Sequence, residues 1–361
     1  MKITESSRTR LKRLLRAFQG VERALVLTHD YPDPDAIAAA MALKHLLQKR
    51  VKKLSVDIGY GGIVGRAENR TLVKAVKADI KPLTDLDIAS YQQFALVDTQ
   101  PRTGNNSLPA GKRPLAVLDH HPLRRETRPV KFHDVRTRFG ATATMMYEYL
   151  KAARAKPDAD LATALFYGIR TETQALTREA SKADREAYLA LMPMVDFRRI
   201  YEIENAGVPR EYFGQMGYAL SRTTLFGDVT FTRLGEVSNP DFCAEFCDMI
   251  LRLESTRWAL CVGHREGICY LSLRTRDRSG HAGRKIMKIV GKEGKAGGHG
   301  MMAGGIAFID RFEPATEESA SQELCRRFLE VTEIAGREGE PLVPKPIRSK
   351  PMEIPEKVAA D

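Results

Sequence analysis

ALVLTHDYPDPDA, residues 24–36, passes from a short run of apolar, strand-forming residues directly into a histidine and three aspartates. Residues 24–28 predict a buried strand. Residues 35–50 predict a helix, with Ala36, Ile37, Ala40, Leu43 and Leu47 on one side. Outward from this stretch the theme repeats: 54–58 predicts another strand, and 94–98 (FALVD) and 115–119 (LAVLD) are apolar runs of strand length that each end on an aspartate. Strands alternating with helices predict an α/β domain with a largely parallel sheet. Such sheets bind ligands beyond the carboxyl ends of their strands. Three of those ends carry acids or imidazoles: His29, Asp33 and Asp35; then Asp98; then Asp119, His120 and His121.

Helical patterns dominate residues 141–220. A second alternation follows: strand 229–237, helix 241–254, strands 258–263 and 268–274, helix 281–290, a glycine-rich loop, strand 305–309 and helix 316–335. The expected organisation is an N-terminal parallel-sheet domain over 20–200, a helical connector over 201–225 and a smaller C-terminal α/β domain over 226–338. A proline-rich tail, extended or disordered, is expected over 339–361.

The 361 residues carry 57 Lys and Arg against 46 Asp and Glu, a net charge of +11. That excess suits a phosphate-rich partner and equally a solvated basic surface. A hydrophobic share of 43% excludes disorder throughout. No apolar run approaches the roughly 18 residues of a membrane span, and the basic first helix lacks a signal-peptide core. The five cysteines are odd in number and confined to the C-terminal third, unlike a secreted disulfide framework. A cytoplasmic location, away from any membrane, is expected. Cys243 and Cys247, at helical spacing, read as core residues rather than a thiolate metal pair.

Hard carboxylates with imidazoles suit Mn²⁺ or a similar divalent ion, and one shared carboxylate can bridge two of them. Asp33 or Asp35 can alternatively serve as a helix N-cap. An EF-hand is excluded, because its spacing, glycine and terminal glutamate are missing.

These residues, in this order, resemble the DHH phosphoesterase superfamily, named for the triplet seen here as Asp119-His120-His121, and within it the standalone DHH–DHHA1 proteins that include oligoribonucleases (nanoRNases) and pAp phosphatases. His29-x3-Asp33-x-Asp35 matches the first motif, LVDTQ with Asp98 the second, LDHHP the third and GIRTET with Glu172 the fourth. GGHGMMAGG (297–305) is similar to the glycine-rich motif of the DHHA1 domain. The resemblance implies that His29, Asp33 and Asp98 hold one Mn²⁺, and that Asp35, Asp98, His120 and Glu172 hold a second, with Mg²⁺ or Co²⁺ as substitutes. It places Asp119 behind a histidine as its orienting group, His121 on the substrate side, and Asp98, His120 and His121 in the catalytic machinery. Arg274, Gly297, Gly298 and His299 would contact the substrate in a cleft between the domains.

The resemblance implies hydrolysis of small nucleotides: short oligoribonucleotides, a pAp-like 3′-phosphoadenosine 5′-phosphate, or both, with water activated between two metals. Cyclic or linear dinucleotide hydrolysis and a non-catalytic nucleotide sensor are the alternatives. No long duplex is expected as a partner, and a homodimer is compatible with the chain. One departure stands out: the family usually has Asp where this chain has Glu172, one methylene longer.

Overall fold

The computed structural model describes residues 3–178 and 180–344, apart from the side chain of His299. The chain divides into two compact units between Gly207 and Val208.

In the first unit β1 (Arg23–Leu27), β2 (Ser55–Tyr60), β3 (Ile80–Pro82), β4 (Gln93–Val97), β5 (Ala116–Asp119) and β6 (Phe132–Val135) form a six-stranded sheet of order β3-β2-β1-β4-β5-β6. Every pairing in it is parallel. The strand order reverses between β1 and β4, so the loops leaving their carboxyl ends part there and open a crevice. The short strands β3 (IKP) and β6 (FHDV) escape the sequence pattern because their residues are partly exposed and polar rather than an apolar run.

Around this sheet lie α1 (Glu5–Ala17), α2 (Pro34–Arg50), α3 (Ala67–Ala75), α4 (Thr142–Ala152), α5 (Ala159–Glu172), α6 (Lys182–Leu191) and α7 (Phe197–Glu204). Asp33 is the N-cap of α2, its Oδ1 accepting the Ala36 N–H at 3.0 Å, and Pro34 fills the first helical position, where a missing N–H costs nothing. Ala36 to Ala40, Ala42, Leu43, Leu46 and Leu47 are all buried, which makes α2 the central helix, covered by α4 and α5. Truncating such a side chain, Leu43 for example, should cost about 2–5 kcal/mol. Gly168 lets α5 close on the start of α2. A Cβ there would lie 2.9 Å from the Pro34 carbonyl oxygen and 3.1 Å from the Asp35 Cα. That approach brings the end of α5, with Glu172, towards Asp35.

In the second unit β7 (Thr223–Phe226), β8 (Val229–Glu236), β9 (Trp258–Arg265), β10 (Ile268–Thr275), β11 (Gly294–His299), β12 (Met302–Phe308) and β13 (Glu340–Pro341) form a sheet of order β11-β12-β10-β9-β8-β7-β13. β8 and β9 pair in parallel; the other pairings are antiparallel. The helices are α8 (Arg210–Ser221), α9 (Asp241–Ile250), α10 (Ala282–Val290) and α11 (Glu317–Val331). Cys243 and Cys247 are buried on α9 beside Phe242 and Phe246.

Over the expected connector, 201–225, α7 falls in the first unit and α8 in the second. The glycine-rich loop is a β-hairpin, with Gly297 opposite Gly304 and Gly298 opposite Ala303. The tail begins as the edge strand β13, Glu340 pairing with Leu225 and Pro341 with Thr224, a position where proline's missing N–H is tolerated. Residues 345–361 lie outside the described residues. No helix among the described residues is long and apolar enough to cross a membrane.

Candidate metal centre

The carboxyl ends of β1, β4 and β5 bring His29, Asp98, Asp119, His120 and His121 to the switch point of the sheet. Asp98 follows β4 directly with φ 56°, a left-handed conformation that aspartate tolerates better than most residues. Its carboxylate stands at the centre. His29 Nε2 lies 3.7 Å from Oδ2 and His120 Nε2 lies 3.5 Å from Oδ1. Asp33 Oδ1, already capping α2, is 3.6 Å from the same His29 nitrogen. These separations are too long for hydrogen bonds. They suit donor atoms arranged about a shared cation, which at bond lengths near 2.0–2.2 Å stand roughly 3 Å or more apart.

Tautomers reinforce this. The Nδ1–H of His29 faces the Asp30 carbonyl at 2.9 Å, and that of His120 faces the Phe139 carbonyl at 3.3 Å. Each ring therefore turns the lone pair of Nε2 towards Asp98, the usual arrangement of a metal-ligating histidine. Among the described residues His120 Nε2 is buried without a hydrogen-bond partner. A buried, orphaned acceptor beside a carboxylate is chemistry that a divalent cation satisfies, so the residues present fit a metal.

Among the described residues two sets of donors meet the spacing for an ion, His29-Asp33-Asp98 and Asp98-His120-His121, and they share Asp98. His121 differs from its neighbour. Its Nδ1 lies 2.8 Å from Asp119 Oδ1, and its ring is partly exposed. Asp119 also accepts the His121 backbone N–H at 3.2 Å and, through Oδ2, Gln100 Nε2 at 2.6 Å.

Asp35 and Glu172 fall outside both sets. The oxygens of Asp35 accept the first backbone N–H groups of α4, Thr142 N to Oδ2 and Ala143 N to Oδ1, each at 2.7 Å. Glu172 Oε1 meets Arg178 Nη2 at 3.1 Å. Both acids nevertheless feel the centre. Burial first, then the charges of Asp98, Asp33 and Glu172, raise the Asp35 carboxyl. Burial, with Asp33 and Asp98, takes Glu172 up to about 7 against the pull of His120 and Arg178.

The imidazoles answer the same field. Burial alone would lower His29, but the neighbouring carboxylates of Asp33 and Asp98 lift it to about 10. His121 rises to about 9, its burial outweighed by Asp119 and Asp98. Asp119 falls to about 2 despite burial, because His121, His120 and Gln100 favour its ionised form. The site is a concentration of negative charge that attracts protons or cations.

Several participating residues were not singled out in the sequence. Gln100 follows Asp98 by two positions, Thr142 donates to Asp98 Oδ1 at 2.8 Å, and Arg178 binds Glu172. Asp184 accepts the Gly140 N–H at 2.8 Å and so braces the segment between Phe139 and Thr142. Their signal is weak because each acts through hydrogen bonds made by a common polar side chain.

In the second unit Arg274 is buried, with Nε 2.6 Å from Asp248 Oδ1 and Nη1 donating to the carbonyls of Leu273 and Ala303. Gly297 and Gly298 sit within β11, and His299 ends it. The His299 side chain lies outside the described residues.

A fully parallel sheet with histidines and carboxylates gathered at its switch point defines an α/β protein with a candidate divalent-metal centre. The DHH family, N-terminal domain, matches residues 23–169 of the chain. It is 31% identical over 316 residues to an uncharacterized protein of Methanocaldococcus jannaschii, covering 86% of this chain and 64% of the length of that relative. Among solved structures it is similar to an exopolyphosphatase-related protein from Bacteroides fragilis, with a TM-score of 0.69, 15% identity, and 90% and 98% of the two chains covered. It is also similar to RecJ from Thermus thermophilus in complex with Mn²⁺, with a TM-score of 0.50, 15% identity, and 90% and 56% covered. At that identity these two likenesses establish the fold.

Proposed function

We propose that the chain is a metal-dependent phosphohydrolase that uses two Mn²⁺ ions, with Mg²⁺ or Co²⁺ as substitutes, to hydrolyse small nucleotides: short oligoribonucleotides, a pAp-like 3′-phosphoadenosine 5′-phosphate, or both. The observation that supports this most is the sharing of Asp98 by two sets of potential ligands. Hard oxygen and imidazole donors favour Mn²⁺ over softer ions.

His29 and Asp33 would hold one ion with Asp98, and His120 would hold the other, with Asp35 and Glu172 nearby. Ions held there would supply Lewis acidity to a phosphoryl oxygen and acidity to a water. The chain does the rest. The carbonyls of Asp30 and Phe139 fix the tautomers of His29 and His120. Asp119 holds the Nδ1 proton of His121, leaving Nε2 to face the substrate and carry a proton to or from it. Arg274, Gly297, Gly298 and His299 are proposed to meet phosphate and base, Arg274 while sharing its charge with Asp248.

The test is turnover with Mn²⁺ of pAp, a diribonucleotide, a five-residue RNA, linear and cyclic dinucleotides, and pyrophosphate. Cleavage of the short RNAs or pAp is expected. Preference for the dinucleotides would move the reading to a dinucleotide phosphodiesterase. Metal binding without any turnover would leave a nucleotide sensor.

A further inference from the structure

Glu172 ends α5, and the chain beyond it follows a costly path to reach it again. Gln174 is left-handed at φ 47°, and the Ala175 N–H returns to the Arg170 carbonyl at 2.7 Å. That bond and that one left-handed residue complete a Schellman helix end. Yet Ala175 and Leu176 are also left-handed, at φ 53° and 69°. Left-handed residues other than glycine are strained and normally occur singly. Three in succession persist only where the surroundings over-determine them, and such strain gathers at functional sites.

The two additional residues turn the chain back on the helix end. The Leu176 N–H bonds Thr173 Oγ1 at 3.1 Å and the Arg178 N–H bonds the Thr173 carbonyl at 2.9 Å. The Arg178 guanidinium, itself buried, then reaches Glu172 twice: Nη2 is 2.6 Å from its backbone carbonyl and 3.1 Å from Oε1. Around Glu172 stand Asp33, Asp35 and Asp98, whose charges it feels or perturbs. A fourth carboxylate on a longer, more flexible stem needs both a counter-charge and a fixed direction there.

We infer that Arg178 is a positioning residue for the metal centre: it takes up one oxygen of Glu172, so that the other is offered to a divalent ion at a fixed reach, and the left-handed turn 174–176 exists to deliver it. The inference rests on the metal-dependent reading above. A merely structural role is the rival, because Leu176 also packs against the core of the first unit. The two differ in sign as well as size. A nearby cation that did nothing but repel metal would, once removed, tighten metal binding.

The experiment is calorimetric titration of the full chain with Mn²⁺, comparing wild type, Arg178→Lys, Arg178→Met, Glu172→Gln and the double variant, with a metal-free melting curve for each. Arg178→Met is expected to weaken one of two ions about tenfold and leave the other within twofold. Arg178→Lys should recover part of the loss. In the Glu172→Gln background Arg178→Met should add nothing, since the two residues act through one bond. Unchanged or tighter binding, equal loss at both ions, or additive losses would each overturn the inference, and a lowered melting temperature with unchanged affinity would leave a helix anchor. Should Arg178→Met fail to fold, Arg178→Lys carries the same test with a smaller loss expected, because lysine's shorter, more flexible stem holds its one nitrogen between the carbonyl and the carboxylate less firmly than the planar guanidinium. Wild type that binds no Mn²⁺ would instead remove the metal reading itself, an outcome distinct from selective loss in the variants.

Discussion

The two units place their distinctive residues on the backbone in opposite ways. In the first, the chemistry-bearing side chains sit just past the ends of β1, β4 and β5, where the parallel sheet brings separate loops to one point. In the second, the glycines that read as a phosphate-wrapping loop lie inside the hairpin of β11 and β12. A Cβ at Gly294 would strike the Ile306 carbonyl oxygen, and one at Gly298 would come within 2.5 Å of the Ala303 Cα. A strand-end acid therefore has few roles open to it, whereas a glycine run is ambiguous. Close backbone approach in a sheet and a wrap around a phosphate both require a missing Cβ.

The comparison breaks first at Asp98. If both sets of donors depend on it, Asp98→Asn should lower kcat/KM by about three orders of magnitude, several kcal/mol of transition-state stabilisation, with both ions lost from the titration. A variant keeping a tenth of wild-type turnover would show that the sets do not share it. Next comes Asp35, whose oxygens bind two backbone N–H groups at the start of α4. Asp35→Ala leaves those donors without their charged acceptor and should destabilise the first unit by about 2–3 kcal/mol. Urea unfolding followed by far-ultraviolet circular dichroism checks this, and an unchanged midpoint would mean that water replaces the carboxylate.

Gly298 sharpens the other side. Its φ of 149° and the backbone contacts of any Cβ predict that Gly298→Ala costs about 1–3 kcal/mol. Trp258, the single tryptophan of the chain, is buried in β9 of the same sheet, so its fluorescence reports unfolding of that unit. An unshifted transition would return the glycines to a loop-like, adaptable role.

What could be read in the sequence follows the same division. The strands 94–98 and 115–119 and the helix from residue 35 were visible because burial on both faces of a parallel strand, or all round a helix, demands continuous apolar sequence. β3 and β6 were not visible, being short and partly polar. At the centre, His29, Asp98 and His120 announced themselves by residue type and position. Asp35 and Glu172 carried the right type, but their nearest partners, the amides of Thr142 and Ala143 and the guanidinium of Arg178, depend on tertiary approach, including the close packing allowed by Gly168. Periodicity contains no trace of such long-range contacts.

Gln100 carries the smallest expected effect and the most specific. It is buried, its Nε2 donating to Asp119 Oδ2 at 2.6 Å while its Oε1 accepts from the Arg124 N–H at 2.9 Å and the Thr127 hydroxyl at 2.8 Å. Those two donors fix the amide's orientation, so the NH₂ must face Asp119, and Asp119 in turn holds Nδ1 of His121. If His121 works at the substrate through Nε2, freeing Asp119 should loosen the ring and lower kcat about tenfold, the scale of losing a group that orients a site residue. KM should change little, since no ligand to either ion is touched. Gln100→Glu should be worse than Gln100→Ala, because it sets a carboxylate against Asp119 in a buried place. Equal effects of the two variants, or a loss confined to KM, would detach this chain of hydrogen bonds from the chemistry and leave it a brace for the loop after β5.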